Sequence, residues 1–431
     1  MPASNFPPSD GTHFSTRPAQ FEGEVCALDE KSLHGAYQSL ESQGPVTRLR
    51  LAQALRAQGL SETDPRLGAC LSAWGEDQTR ALSFADFKKA LALDERHLIS
   101  RALTNQLVSG HFGSFKQRLS NVFAFAADDH QGEIAHYIPE LRRADPEAFA
   151  LSVCTIDGQN FSMGLREGDE AAQFCIQSTC KPLNYALALE LLGEDLVHRY
   201  VGREPSGQGF NEITLDRRHR PHNPMINAGA IMTCALIRPT QNVDARFDYI
   251  RRVWGSACAG QEPELDHATY ESEKATADRN FALAYFMREH KAFPPEADLH
   301  DTLELYFRCC ALKSDVGALS LWAASLANGG VCPLTERRVF QGRTVRHVLS
   351  LMLSCGMYDF SGEYAFSVGL PAKSGVSGAL YIVVPGVCGI ALYSPRLDHH
   401  GNPSRGIAFS KRLVETFPWH VYAPVVQTPL S

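Results

Sequence analysis

Apolar residues recur at helical spacing over the first quarter of the chain. Leu33, Tyr37 and Leu40 form one face, Leu49, Leu51, Leu55 and Leu60 a second, and Leu67, Cys70, Leu71 and Trp74 a third. Ser83-Phe84-Ala85-Asp86-Phe87 opens a fourth helix, continued by Leu91 and Leu93. The layout predicts two helix-loop-helix units over residues 23–110, like a pair of EF-hands. Their loops lack the ladder of carboxylates that calcium requires. Counting from Asp77, the twelfth position, where a bidentate Glu belongs, holds Lys88. Residues 1–22 are rich in Pro, Ser and Thr and are expected to be a disordered tail, and 423–431 is expected to be a C-terminal tail.

Further on the pattern changes. A connector over 101–130 is helical at Phe115–Phe125. Phe149–Ile156 is strand-like, turns at Asp157-Gly158 and returns through Phe161 to Gly164, and Asp-Gly between apolar runs is a strong hairpin signal. Residues 178–354 read mostly as helix. Ala379–Val384, Pro385-Gly386 and Val387–Tyr393 form a second hairpin, and a last helix runs over roughly Arg405–Phe417. Strands at both ends with helices between give an α+β fold whose antiparallel sheet is built from both ends of a domain spanning 111–422.

The chain has 431 residues, of which 44% are hydrophobic, enough for two or three domains with substantial cores. A net charge of −7 and a pI near 6.1 argue against nucleic acid or a polybasic membrane contact. The long uncharged stretch Val316–Thr335 contains Asn328-Gly329-Gly330 and Pro333, so it reads as a buried helix and a turn rather than a membrane span. Sixteen histidines contain no His-x-x-x-His, and no metal or other cofactor is expected. Twelve cysteines form no Cys-x-x-Cys and lie mostly in apolar runs, which suits a reducing compartment. With no apolar secretory segment at the start, the expected location is the cytoplasm, with the mitochondrial matrix as the alternative.

One stretch carries nucleophile chemistry. Gln177-Ser178-Thr179-Cys180-Lys181-Pro182 precedes a helix whose buried face is Ala186, Leu187, Leu189, Leu191 and Leu192 and whose expected stop is Gly193. Ser178 stands where an N-cap belongs and Pro182 lies in the first turn. Lys181 follows Ser178 by three residues, so one turn brings the amine beside the hydroxyl. A serine needs a base to become nucleophilic, and a lysine held neutral by burial can be that base. This is the only Ser-x-x-Lys in the chain. Taken alone, a helix cap followed by a solvated lysine is the plainer reading.

Five polar, glycine-rich islands change that balance. They are Val201–Glu212, Pro221–Ala230, Tyr270–Glu273 with Asp278-Arg279-Asn280, Ser354–Gly362, and Pro371–Gly378. The last contains Lys373-Ser374-Gly375 just before a strand, the partner that Ser-x-x-Lys has in β-lactamases and penicillin-binding proteins. Taken together, Gln177-Ser178-x-x-Lys181-Pro182, Gly202-x-Glu204-Pro205-Ser206-Gly207, Asn223-Pro224-Met225-x-Asn227-Ala228-Gly229-Ala230, Ser354-Cys355-Gly356-Met357-Tyr358-Asp359 and Ala372-Lys373-Ser374-Gly375-Val376 resemble the serine-dependent glutaminases. The likeness runs from about Tyr137 to Phe417, and the helical region before it resembles the EF-hand-like segment of the animal enzymes. The ankyrin-bearing tail of those enzymes is not represented after Trp419, and Glu212 stands where the kidney-type enzyme has lysine.

The resemblance implies a β-lactamase/transpeptidase-like catalytic domain that hydrolyses L-glutamine to L-glutamate and ammonia through a glutamyl-serine intermediate. It implies a homo-oligomer (dimer or tetramer, with filaments as a further form) and phosphate or another anion as a candidate activator. By the same resemblance Ser178 is the nucleophile, Lys181 its base and Tyr358 the proton relay. Tyr137, Gln177, Asn227, Glu273, Asn280, Tyr306 and Val376 contact substrate, and the N–H groups of Ser178 and Val376 form the oxyanion hole. The residue types suit a zwitterion: a carboxylate for its ammonium, and neutral donors for its carboxylate. Read singly, Asn227 caps a helix, Glu273 is a first-turn charge, Tyr306 and Tyr358 are half-buried tyrosines, and Lys373 is an edge-strand surface lysine with no catalytic step. Arg217-Arg218-His219-Arg220 reads as a solvated basic loop before it reads as a phosphate site. A hydrolase of another amide and an inactive scaffold are the competing functions.

Overall fold

The computed structural model describes residues 30–423 apart from 43, 76, 95, 96 and 208–211, so the two expected tails lie outside the described residues, apart from Ala423. Nine strands are labelled in chain order: β1 (Glu133–Ile134), β2 (Ala150–Thr155), β3 (Asn160–Gly164), β4 (Phe174–Cys175), β5 (Lys313–Ser314), β6 (Ala372–Ser374), β7 (Ala379–Val384), β8 (Cys388–Tyr393) and β9 (Arg396–Leu397). The main sheet is antiparallel in the order β3-β2-β8-β7-β6. Val153 stands opposite Ile390, which stands opposite Ile382, so the two hairpins from opposite ends of the domain meet in the middle.

Both faces of this sheet are covered. Every residue of β2, β7 and β8 is buried, which is why their sequences run apolar without alternating. Leu151, Val153, Leu380, Ile382, Ile390 and Leu392 face the helices Phe112–Ala127 and Ser404–Thr416 through Leu119, Phe123, Phe409 and Leu413. Tyr381, Val383 and Ala391 face the helix Val316–Ala327 and the larger helical cluster beyond it. That helix lies directly on the sheet at Gly389, where a Cβ would come within 2.2 Å of the Ala324 nitrogen.

The first helices enclose a core of their own, with Leu51, Leu55, Leu67, Cys70, Phe87 and Ile99 fully buried. Thr47 and Ala81, in the loops between successive helices, form an antiparallel bridge. This unit sits on the β2–β3 turn that the Asp-Gly signal located. Asp157 accepts from Arg101 at 2.8 Å and from the Val108 N–H at 2.6 Å. The Gln159 amide donates to the carbonyls of Gln58 and Ser109 and accepts from the Ser109 N–H. Among the described residues no helix is long and apolar enough to cross a membrane, and no cluster of side chains could hold a metal.

One local expectation is corrected. Ser178 is not an α-helical N-cap: Gln177–Cys180 is a 3-10 turn, and the α-helix begins at Lys181. Gly193 stops that helix, as expected: at φ 76° and ψ 163° it is non-helical, and a second helix follows across the kink to Tyr200.

Candidate active site

The turn that carries Ser178 is fixed from two sides. β4 pairs with β5, and the Ile176 N–H donates to the Leu312 carbonyl at 2.8 Å, delivering the chain to Gln177 in a set position. On the other side stands Gly375, where a Cβ would meet the Ile176 carbonyl at 3.0 Å. The Lys-Ser-Gly segment and the Ser-x-x-Lys turn are therefore in contact. Val376 follows at once, so its N–H is carried by the segment that packs on the Ser178 turn.

Gln177 has φ 46°, a conformation costly for a residue with a side chain. Its amide donates to Glu273 Oε1 at 2.8 Å, and the Tyr137 hydroxyl donates to the same oxygen at 2.7 Å. Glu273 is buried in the last turns of the helix His267–Ala275 rather than being a first-turn surface charge. Burial raises its pKa, opposed by the hydrogen bonds from Tyr137 and Gln177. Tyr137 remains 48% exposed and turns only its hydroxyl inward. Burial of that end and the Glu273 charge raise its phenol well above its ordinary value.

Lys181 is fully buried, and its Nζ donates to Asn227 Oδ1 at 2.7 Å. Removal from water disfavours the ammonium and lowers its pKa to about 8. Asn227 is the first residue of the helix Asn227–Leu236 and does not cap it; its Nδ2 donates to Asn280 Oδ1 at 3.2 Å. Lysine, Asn227 and Asn280 therefore form one chain of hydrogen bonds. This helix approaches closely because residue 229 is glycine; a Cβ there would come within 1.8 Å of the Asn223 carbonyl.

Tyr358 is buried, with φ 53°. Burial raises its phenol, and hydrogen bonding with the Ser178 hydroxyl acts in the opposite direction. Tyr306, on the helix Leu299–Cys310, is buried beside Cys310 and likewise raised by burial. Neither tyrosine is half-buried.

Lys373 corrects the edge-strand reading most clearly. It is fully buried, its Nζ donates to the Ser374 carbonyl at 2.6 Å, and it lies 4.3 Å from the centre of the Tyr358 ring. Burial, reinforced by the charge on Lys181, holds its pKa well below the usual lysine value. The Lys-Ser-Gly motif located this residue but gave no sign of its burial. Asn402 was missed altogether. It is fully buried, accepts from Ser374 Oγ at 2.6 Å and donates to the Met357 carbonyl at 3.2 Å.

A cavity of about 480 Å³ opens against Tyr358, lined among others by Pro205, Ser206, Asn223, Ser354 and Ser361. Three of the five polar islands thus meet around one space large enough for a small metabolite. The arrangement can hold a serine hydroxyl, a buried amine that gives up its proton readily, and a phenol within one small volume, with a buried carboxylate nearby.

The family model described as glutaminase matches residues 132–422. The chain is 43% identical over 388 residues to putative glutaminase 2 of Caenorhabditis elegans, covering 86% of this chain and 63% of that protein. It is 40% identical over 390 residues to the mitochondrial liver isoform glutaminase of Mus musculus, covering 90% of this chain and 64% of that protein. It therefore spans less than two thirds of the length of these two relatives. Among solved structures, the probable glutaminase ybaS superposes with a TM-score of 0.67 at 34% identity, over 71% of this chain and 97% of that one. Mglu in its tris and glutamate form gives a TM-score of 0.66 at 38% identity, over 71% of this chain and 67% of that one.

Proposed function

The chain belongs to the glutaminase family, and from that premise we propose that it hydrolyses L-glutamine to L-glutamate and ammonia through a glutamyl ester on Ser178. The observation that carries the reading is Lys181: a buried amine, one turn from a serine hydroxyl, with its pKa lowered to about 8. A lysine in that state can act as a base near neutral pH.

In this reading Ser178 Oγ attacks the side-chain amide carbon of glutamine and passes its proton to Lys181. The N–H groups of Ser178 and Val376 receive the negative oxygen. Tyr358 delivers a proton to the departing nitrogen, so ammonia leaves rather than an amide anion. Lys181 returns its proton to the Tyr358 phenolate and is neutral again; water then attacks the ester, loses a proton to the buried amine, and glutamate is released as the Ser178 oxygen takes that proton back. Glu273 receives the substrate ammonium. The neutral donors Asn227, Asn280 and Tyr306 receive its carboxylate, and Tyr137 and Gln177 hold Glu273 in place.

The glutamate form in which the relative Mglu is described supports glutamate as product. All eleven described cysteines are free and buried, which supports a reducing compartment such as the cytoplasm. The bridge between Thr47 and Ala81 supports the EF-hand-like reading of residues 23–110 and a separate domain there. A homo-oligomer and an anion activator belong to the same reading. The test is ammonia release from glutamine, asparagine and a chromogenic lactam assayed side by side. Turnover of glutamine far above the other two is expected; hydrolysis of the lactam with glutamine untouched would overturn the proposal.

A further inference from the structure

Tyr358 adopts a backbone conformation that a tyrosine does not take unaided, and the structure surrounds it with hydrogen bonds. The Met357 N–H donates to Ser361 Oγ at 2.9 Å, and the Ser361 hydroxyl donates to the Tyr358 carbonyl at 2.6 Å. The Met357 carbonyl accepts from Asn402 Nδ2 at 3.2 Å and from the Phe360 N–H at 3.1 Å. A left-handed residue with a side chain persists only where its surroundings enforce it.

Asn402 reaches the site from a loop remote in sequence. Its N–H donates to Asp398 Oδ1 at 2.9 Å and its carbonyl accepts from the Asp398 N–H at 2.8 Å, closing the turn after β9. Gly401, at φ 87°, lies against the Tyr358 ring; a Cβ there would stand 3.8 Å from it. The orientation of the Asn402 amide is not arbitrary. A carbonyl only accepts, so the nitrogen must face Met357 and the oxygen must face Ser374. Ser374 then spends its only proton on Asn402 and presents lone pairs alone to the groups around it.

We propose that Asn402 is a positioning residue for the reaction: it holds the Met357–Tyr358 peptide and orients the Ser374 hydroxyl, so that the Tyr358 phenol stays against Ser178. The proposal rests on Tyr358 as the proton donor to the leaving nitrogen, and the test separates the two claims. A substrate whose leaving group needs no proton is indifferent to a misplaced donor. The γ-(4-nitrophenyl) ester of L-glutamate, which expels a phenolate, is such a substrate.

Asn402→Ala is expected to lower kcat for glutamine at least about tenfold with KM changed by less than about threefold, because the groups that bind the substrate are untouched. Single-turnover release of 4-nitrophenolate should change by less than about threefold. Tyr358→Phe should show the same split between amide and ester. If Asn402→Ala proves poorly folded by thermal melting, Ser374→Ala carries the test, since it cuts one arm and leaves the Met357 contact. Loss of amide and ester turnover alike in the folded Asn402 or Ser374 variant, or no loss at all, would overturn the proposal while a selective loss in Tyr358→Phe left the reading beneath it standing. A Tyr358→Phe variant with no preference between the substrates would remove that reading, and the proposal with it.

Discussion

The amine of Lys181 donates a 2.7 Å hydrogen bond to Asn227 Oδ1 in a place closed to solvent. An amide oxygen accepts from a neutral amine as well as from an ammonium, and it brings no negative charge that would hold the proton on. Burial then decides the outcome and favours the neutral form.

The pH dependence follows. With Lys181 as the proposed base, the reacting form carries the neutral amine, so kcat/KM for glutamine should rise with pH through an apparent pKa near 8. The sign for stability is separate. A lysine with a lowered pKa binds fewer protons folded than unfolded between about pH 8 and its ordinary value, so its contribution to stability rises across that window and is flat below it. A pH–rate profile with no limb in the range 7–9 would speak against Lys181 as base.

The binding role proposed for Glu273 comes with a cost to folding. Burial raises its pKa, so the folded state pays to keep it ionised. Glu273→Gln should raise KM for glutamine at least about tenfold, reflecting a lost charge-assisted contact of about 1.5–3 kcal/mol. It should also leave Tm unchanged or a few degrees higher. Steady-state kinetics and a thermal melt on the same preparation check both; an unaltered KM would remove Glu273 from the ammonium site.

Asp157 ties the first helical unit to the sheet through Arg101 and the Val108 N–H, and its side chain is only 10% exposed. Asp157→Ala leaves a partly buried guanidinium without this partner and should cost about 3 kcal/mol. Limited proteolysis should then cut first within residues 30–110. Cleavage unchanged in rate and position would show that the contact adds little.

Gly229→Ala tests the close approach that places Asn227. The added methyl overlaps the Asn223 carbonyl, so the start of the helix Asn227–Leu236 must shift. A displacement of about 1 Å at a catalytic contact can cost on the order of a hundredfold in rate. Glutamine turnover in a variant that retains its melting temperature measures this directly; activity within about twofold of the parent would show that the segment accommodates the methyl.

The sheet was legible because its signals are local. Asp157-Gly158 and Pro385-Gly386 each mark a turn between apolar runs, and the structure has β2–β3 and β7–β8 there. The Ser178 turn and Lys373-Ser374-Gly375 were legible as motifs. Their contact through Gly375 was not, since residues almost two hundred apart in sequence meet only through the β4–β5 pair and the sheet edge. The burial of Lys373 and the role of Asn402 left no trace. A lysine beside a strand and an asparagine in a Gly-Asn-Pro loop are ordinary surface residues until the packing closes around them.

The central claim is that Ser178 carries the glutamyl group. Mass spectrometry of protein quenched in acid during turnover of L-glutamine tests it most directly. A glutamyl adduct is expected on the peptide containing Ser178 and not in Ser178→Ala, which should release no ammonia above background. Ammonia release by Ser178→Ala at a rate near that of the parent, with no adduct on either protein, would contradict it.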